Sequence, residues 1–156
     1  MFWSCHSESE PFPSDPTLIR VPNTGFRLFS TPGAAGRAIR DLKKGEMLHD
    51  LDEVSPFLTP LFLQGKSYVE PWLQVRTKKA EVGWVYGAVL YNSKGETAPQ
   101  LPNKRLGALF GKSLANKITR YAQQFHTVAS DQEMARTYQQ FRALLDSLSL
   151  HTSFAQ

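Results

Sequence analysis

Apolar and polar positions change period once along this chain. In its first part they alternate in short runs. "TLIRV" (17–21), "FRLFS" (26–30), "PWLQVRT" (71–77) and "VGWVYGAVLY" (82–91) each have the period-two texture of a strand. Asn23-Thr24-Gly25, Pro32-Gly33 and Lys43-Lys44-Gly45 punctuate them as turns. The two runs on either side of 78–81 predict a hairpin. In "EVGWVYG" (81–87), Val82, Trp84 and Tyr86 fall on one face and Val85 on the other, with Gly83 allowing a close approach. Residues 55–71, with three prolines and several aromatics, predict a long loop.

After Leu90 the pattern changes. "YNSKGETAPQLPN" ends in a linker over 93–103, and the spacing then becomes helical. Leu106, Phe110, Leu114, Ile118, Tyr121 and Phe125 recur at three- and four-residue steps. Ser130-Asp131-Gln132-Glu133 has the form of a capping box opening a second helix. Met134, Tyr138, Phe141, Leu145 and Leu148 give that helix an apolar stripe. Two such helices, over 104–150, predict a helical hairpin. The fold class expected is mainly β: a small barrel over 17–92 followed by two C-terminal α-helices, with 1–16 as a flexible tether.

"GFRLFSTPGAAGRAIRDLKKGEML" followed by "WLQVRTKKAEVGWVYGAVL" resembles the bacterial SH3-type (SH3b) domain. The matching positions are Gly45 and Glu46 in the turn, then Trp72, Val75, Gly83, Trp84, Val85 and Leu90 in the final hairpin. The resemblance covers about residues 17–92. It departs from the family in the long 52–71 segment and in Leu28-Phe29. It implies an SH3-like barrel that binds cell-wall peptides or glycans, or a protein segment, in the envelope.

Composition adds a compartment. The start, "MFWSCHSESEPFPSDP", looks like the tail of a lipoprotein signal, with Cys5 as the lipidated residue and a polar tether behind it. It lacks the charged region and apolar stretch that normally precede such a cysteine. The expectation is an exported, lipid-anchored envelope protein, with a cytoplasmic location as the alternative. The single cysteine excludes an intrachain disulfide.

Charge adds a rival reading. The net charge of +4 is unevenly spread. Residues 1–16 carry three acids and no base, whereas 101–126 carry Lys104, Arg105, Lys112, Lys117 and Arg120 and no acid. Such a run is either the solvated face of a helix or a surface for polyanions.

Chemistry-bearing constellations are sparse. The histidines show no metal-ligand spacing, and His49-Asp50 with Asp52-Glu53 reads as a polar turn sooner than an acid–base site. "GAAG" (33–36) and "GKS" (111–113) lack the remainder of a phosphate loop. No enzyme, metal or cofactor is expected. The binding expectation rests on Tyr68, Trp72, Trp84 and Tyr86, whose rings supply stacking area with a polar edge. Trp72 and Trp84 are either core or ligand-facing, and Tyr68 and Tyr86 are the better candidates for exposure. The alternatives are a structural scaffold built on the helical hairpin and, last, nucleic-acid or anionic-surface binding by the basic helix.

Overall fold

The computed structural model describes residues 11–152; for 148–152 only the backbone is described. Cys5 lies outside the described residues. The described residues form two compact units, divided after Gly111.

The first unit is one antiparallel sheet of six strands, curled about its core, with a helix packed on it. The strands are β1 (Leu18–Arg20), β2 (Arg27–Phe29), β3 (Ala38–Asp41), β4 (Met47–Leu63), β5 (Lys66–Thr77) and β6 (Val82–Tyr86). Their order in the sheet is β1-β4-β5-β6-β2-β3. A 3-10 turn over Gly87–Leu90 closes the last strand, and helix α1 (Leu101–Phe110) follows. The second unit is a pair of helices, α2 (Lys112–Thr127) and α3 (Asp131–Thr152).

The long loop expected over 55–71 is instead the core of a hairpin formed by β4 and β5, paired out to Leu63↔Lys66. Gln64 and Gly65 make its two-residue turn, both at positive φ (51° and 79°), as a primed hairpin turn requires. The prolines are tolerated because none faces a paired neighbour it must donate to. Pro56 lies within the irregularity between Val54 and Leu58. Pro60 lies where β4 has one open edge, since β1 pairs only with Met47–His49. Pro71 lies one residue beyond the last β5–β6 pair, Trp72↔Tyr86.

Strand register explains the alternation. Leu73 faces Val85, and with Val75 and Leu28 they are fully buried in the core, joined by Ile19, Val21 and Leu48. Of Val82 and Val85, which the alternation puts on opposite faces, Val85 is buried and Val82 is half exposed at the start of β6. Gly83 is needed for close approach, but to β2 rather than within its own hairpin. A Cβ there would lie 2.7 Å from the Phe29 carbonyl oxygen and 2.7 Å from Leu28 Cγ.

The helical region also differs from expectation. A helix begins at Leu101, with Pro102 in its first turn, inside the stretch expected to be linker. The single stripe expected from Leu106 to Phe125 is cut at Gly111, which adopts φ 82° and caps α1. Among the described residues the result is three α-helices, of which α1 belongs to the sheet unit. In the second unit Phe141 packs edge-on against Phe125 at 5.8 Å and tilted against Tyr121 at 6.1 Å. The Glu133 N–H is donated to Ser130 Oγ, as the capping motif requires.

Candidate binding groove

The residues that pair with Trp72 build a second face on the sheet. Trp72 lies opposite Tyr86, Gln74 opposite Trp84, and Trp84 opposite Phe29. Directly opposed residues share a face. Phe29 and Tyr86 therefore both reach Trp72, edge-on, with ring centroids at 5.1 and 5.4 Å. This cluster floors a groove of about 630 Å³, walled by Phe26, Leu61 and Leu63 and rimmed by Arg27, Lys43 and Lys44. The volume is in the range of small-ligand sites, and its lining is mostly apolar with charge at the mouth.

The floor is rigid because each polar atom in it is committed. Tyr86 is 3% exposed. Its hydroxyl donates to the Thr59 carbonyl oxygen at 2.5 Å and accepts the Glu70 N–H at 3.2 Å. Burial, first, raises its pKa above the ordinary tyrosine value. Trp72 is 1% exposed, and its indole N–H donates to Thr59 Oγ1 at 2.9 Å. Its backbone N–H donates to Ser55 Oγ, whose own hydroxyl donates to the Phe57 carbonyl. Ser55 thus supplies the acceptor that β4 withdraws where its pairing is irregular.

The four residues singled out in the sequence therefore separate. Trp72 and Tyr86 meet in the groove floor. Tyr86, expected among the exposed rings, is buried because its hydroxyl is needed between β4 and β5. Trp84 is half buried on the same face but does not line the groove. Tyr68 lies over a separate small cleft, edge-on to Tyr91 at 5.0 Å. The groove residues that sequence reasoning missed are Phe29 and Leu63, the latter because its segment reads as a loop.

A buried ionic cluster holds α1 on the sheet. Glu70 is 1% exposed and takes a fork of two bonds from Arg105, Nε at 2.9 Å and Nη2 at 2.5 Å. Tyr91 donates its hydroxyl to the same carboxylate at 2.6 Å. Burial and then Glu70 push the Tyr91 hydroxyl up to about 12. Lys104, also buried, pairs with Asp50 at 2.7 Å and Asp52 at 3.1 Å. The first two bases of the expected polyanion surface are therefore committed to carboxylates of the chain. Asp50 and Asp52, weighed as a polar turn or an acid–base site, are ion-pair partners.

A second cluster lies beside the turn that precedes β4. Arg40 bonds Glu46 through Nη2 at 2.6 Å and Nη1 at 3.1 Å, and Glu81 through Nε at 2.9 Å. The Arg40 guanidinium holds both carboxyls below their usual range. Glu46 also accepts the Lys43 N–H, which pins the turn before β4.

Among the described residues no group of three His, Cys, Asp or Glu could hold a metal ion, and no helix is long and apolar enough to cross a membrane. Comparison of the chain with protein-family models, curated proteins and solved structures gives no match.

Proposed function

We propose that this protein is a non-enzymatic binding module whose sheet unit is an SH3-like barrel of the SH3b type, taking its ligand in the aromatic groove. The observation that carries this reading is a preformed groove with a hydrogen-bonded Trp72–Tyr86 floor, apolar walls and a charged rim. The 3-10 turn over Gly87–Leu90 directly after β6, and the sharp Gly45–Glu46 turn before β4, support the barrel assignment. The ligand class implied by that assignment is a cell-wall peptide or glycan, or a protein segment, in the cell envelope. A lipid on Cys5 would hold the module at a membrane surface.

The test is cosedimentation of the chain with insoluble cell-wall sacculi, beside a Leu61→Ser/Leu63→Ser variant. Both leucines are half buried on the groove wall and pack against the core without belonging to it. Tyr86→Ala is unsuitable, because it removes a buried ring and its bonds to Thr59 and Glu70. Retention lost in the variant, with an unchanged circular dichroism spectrum, supports the reading. Equal retention of both proteins sinks it.

A second reading is favoured by one observation. In α3, Met134, Tyr138 and Leu145 remain exposed on the helix stripe. A scaffold reading would use that stripe as a protein–protein interface.

A further inference from the structure

Next to the aromatic groove lies a second depression, of about 480 Å³, lined by Arg40, Lys43, Lys44, Lys78 and Lys79 together with Asp41, Gly45, Glu46 and Met47. The two share Asp41, Lys43 and Lys44, so they adjoin along residues 41–44. The charge of the second is unbalanced. Five cations face Asp41 and Glu46, with Glu81 bonded to Arg40 beside them, and these carboxylates are already paired, Asp41 with Arg27 and Glu46 and Glu81 with Arg40. Arg40 is spent on Glu46 and Glu81. The four lysines are exposed, and none is within ion-pair distance of a carboxylate among the described residues. They come from two separate turns, 43–45 and 78–80, brought together by the fold.

We propose that the groove's ligand is an acidic peptide segment, with a bulky apolar side chain in the aromatic groove and its carboxylates on the lysine depression. This rests on the groove reading above and specifies its ligand. The chemistry of the two halves favours a peptide over a simple anion. A phosphate site is best built from a planar guanidinium fork or converging backbone N–H groups. Here the only guanidinium in the depression is occupied, and the free charges are separate ammonium groups on flexible stems. Such groups suit several carboxylates spaced along a chain. The adjoining apolar groove gives no contact to a polyphosphate but buries an aromatic or aliphatic residue of the same chain.

The test is NMR shift mapping on the full chain with the probe peptide acetyl-EEFWEE-amide and its neutral counterpart acetyl-QQFWQQ-amide. The expected result is that the acidic peptide binds on the order of ten-fold more tightly. It should shift the amides of Lys43, Lys44, Lys78 and Lys79 together with Phe29 and Leu61. Its advantage should disappear as salt shortens the Debye length from about 30 Å to about 3 Å. Lys78→Glu/Lys79→Glu should remove that advantage while leaving the neutral peptide's affinity unchanged. Equal binding of the two peptides overturns the acidic ligand and leaves the groove reading standing. Absence of groove shifts with either peptide overturns the proposal, and the sacculus experiment then judges the groove on its own. Inorganic phosphate that matches the acidic peptide without shifting Phe29 or Leu61 overturns it in favour of an anion site. Lysine-dependent binding to phosphatidylglycerol vesicles that ignores Leu61→Ser overturns it in favour of a membrane surface.

Discussion

Tyr91 shows how one side chain can report on the joint between sheet and helix. Its hydroxyl lies between the buried Glu70 carboxylate and the Arg105 guanidinium, accepting from Arg105 Nη2 at 2.7 Å. Burial and the neighbouring negative charge both oppose ionisation, so its folded-state pKa of about 12 stands above the ordinary value of 10. For a group whose pKa is raised on folding, the stabilising contribution is full below the unfolded value. It is lost as pH rises through the folded one. The protein should therefore lose stability between pH 10 and about 12. Of its five tyrosines, Tyr91 and the buried Tyr86 should titrate late in the tyrosinate absorbance, and Tyr91→Phe should remove the Tyr91 share of that late phase. Glu70→Gln, by removing the charge and leaving the burial, should lower the late pKa partway. An unchanged late phase in Glu70→Gln would show that Glu70 does not contact Tyr91 in solution.

At the scale of the elements, turns carry the information that strands leave open. The β5–β6 turn places Ala80 at φ 62°, a left-handed conformation that suits glycine. Ala80→Gly relieves that strain but loosens the unfolded chain, and the net expected gain is about 0.5 kcal/mol in urea unfolding. A destabilised variant would mean that Ala80 does not hold that conformation. The neighbouring ionic cluster ties β3, the 43–46 turn and the β6 entry together through Arg40. Glu46 has a pKa lowered below 4.5, chiefly by its bonds to Arg40. Its contribution is therefore full above 4.5 and fades as pH falls through the lower folded value. Arg40→Met should be less stable at neutral pH and should flatten the acid limb of the stability profile. Parallel acid limbs for the two proteins would count against the cluster.

These elements also show what the sequence made legible. The β5–β6 hairpin and its turn follow from alternation, whereas alternation and residue size leave Trp72 open between core and ligand-facing. The β4–β5 hairpin does not follow, because proline is a breaker on average and becomes permissible only once the neighbouring strands are known. Pro60 and Pro71 sit where β1 and β6 have ended, a fact of the whole sheet and not of the local sequence. The groove was half legible for the same reason. Its floor came from the readable hairpin and its wall from the unreadable one. The lysine depression was illegible because Lys43 and Lys78 are 35 positions apart in sequence and meet only through the fold.

The whole molecule turns on where its first unit ends. A barrel boundary at residue 92, as the alternating texture alone suggests, would remove α1. That would strip Arg105 from Glu70 and Lys104 from Asp50, two carboxylates 1% and 5% exposed, and would uncover the core in which Leu101 is fully buried. Leaving a buried charge without its partner costs about 3–5 kcal/mol. Two such losses approach the entire stability of a small domain, about 5–15 kcal/mol. A boundary at Gly111 keeps both pairs and coincides with the division between the two compact units. The protein cut after Gly111 should therefore unfold cooperatively and retain the groove's binding, whereas the protein cut after residue 92 should not fold. Thermal unfolding by circular dichroism, together with the peptide titration, measures both. A cooperative transition in the shorter piece would show that the ionic cluster merely decorates the sheet. Loss of folding in the longer piece would show instead that α2 and α3 are needed to complete the first unit.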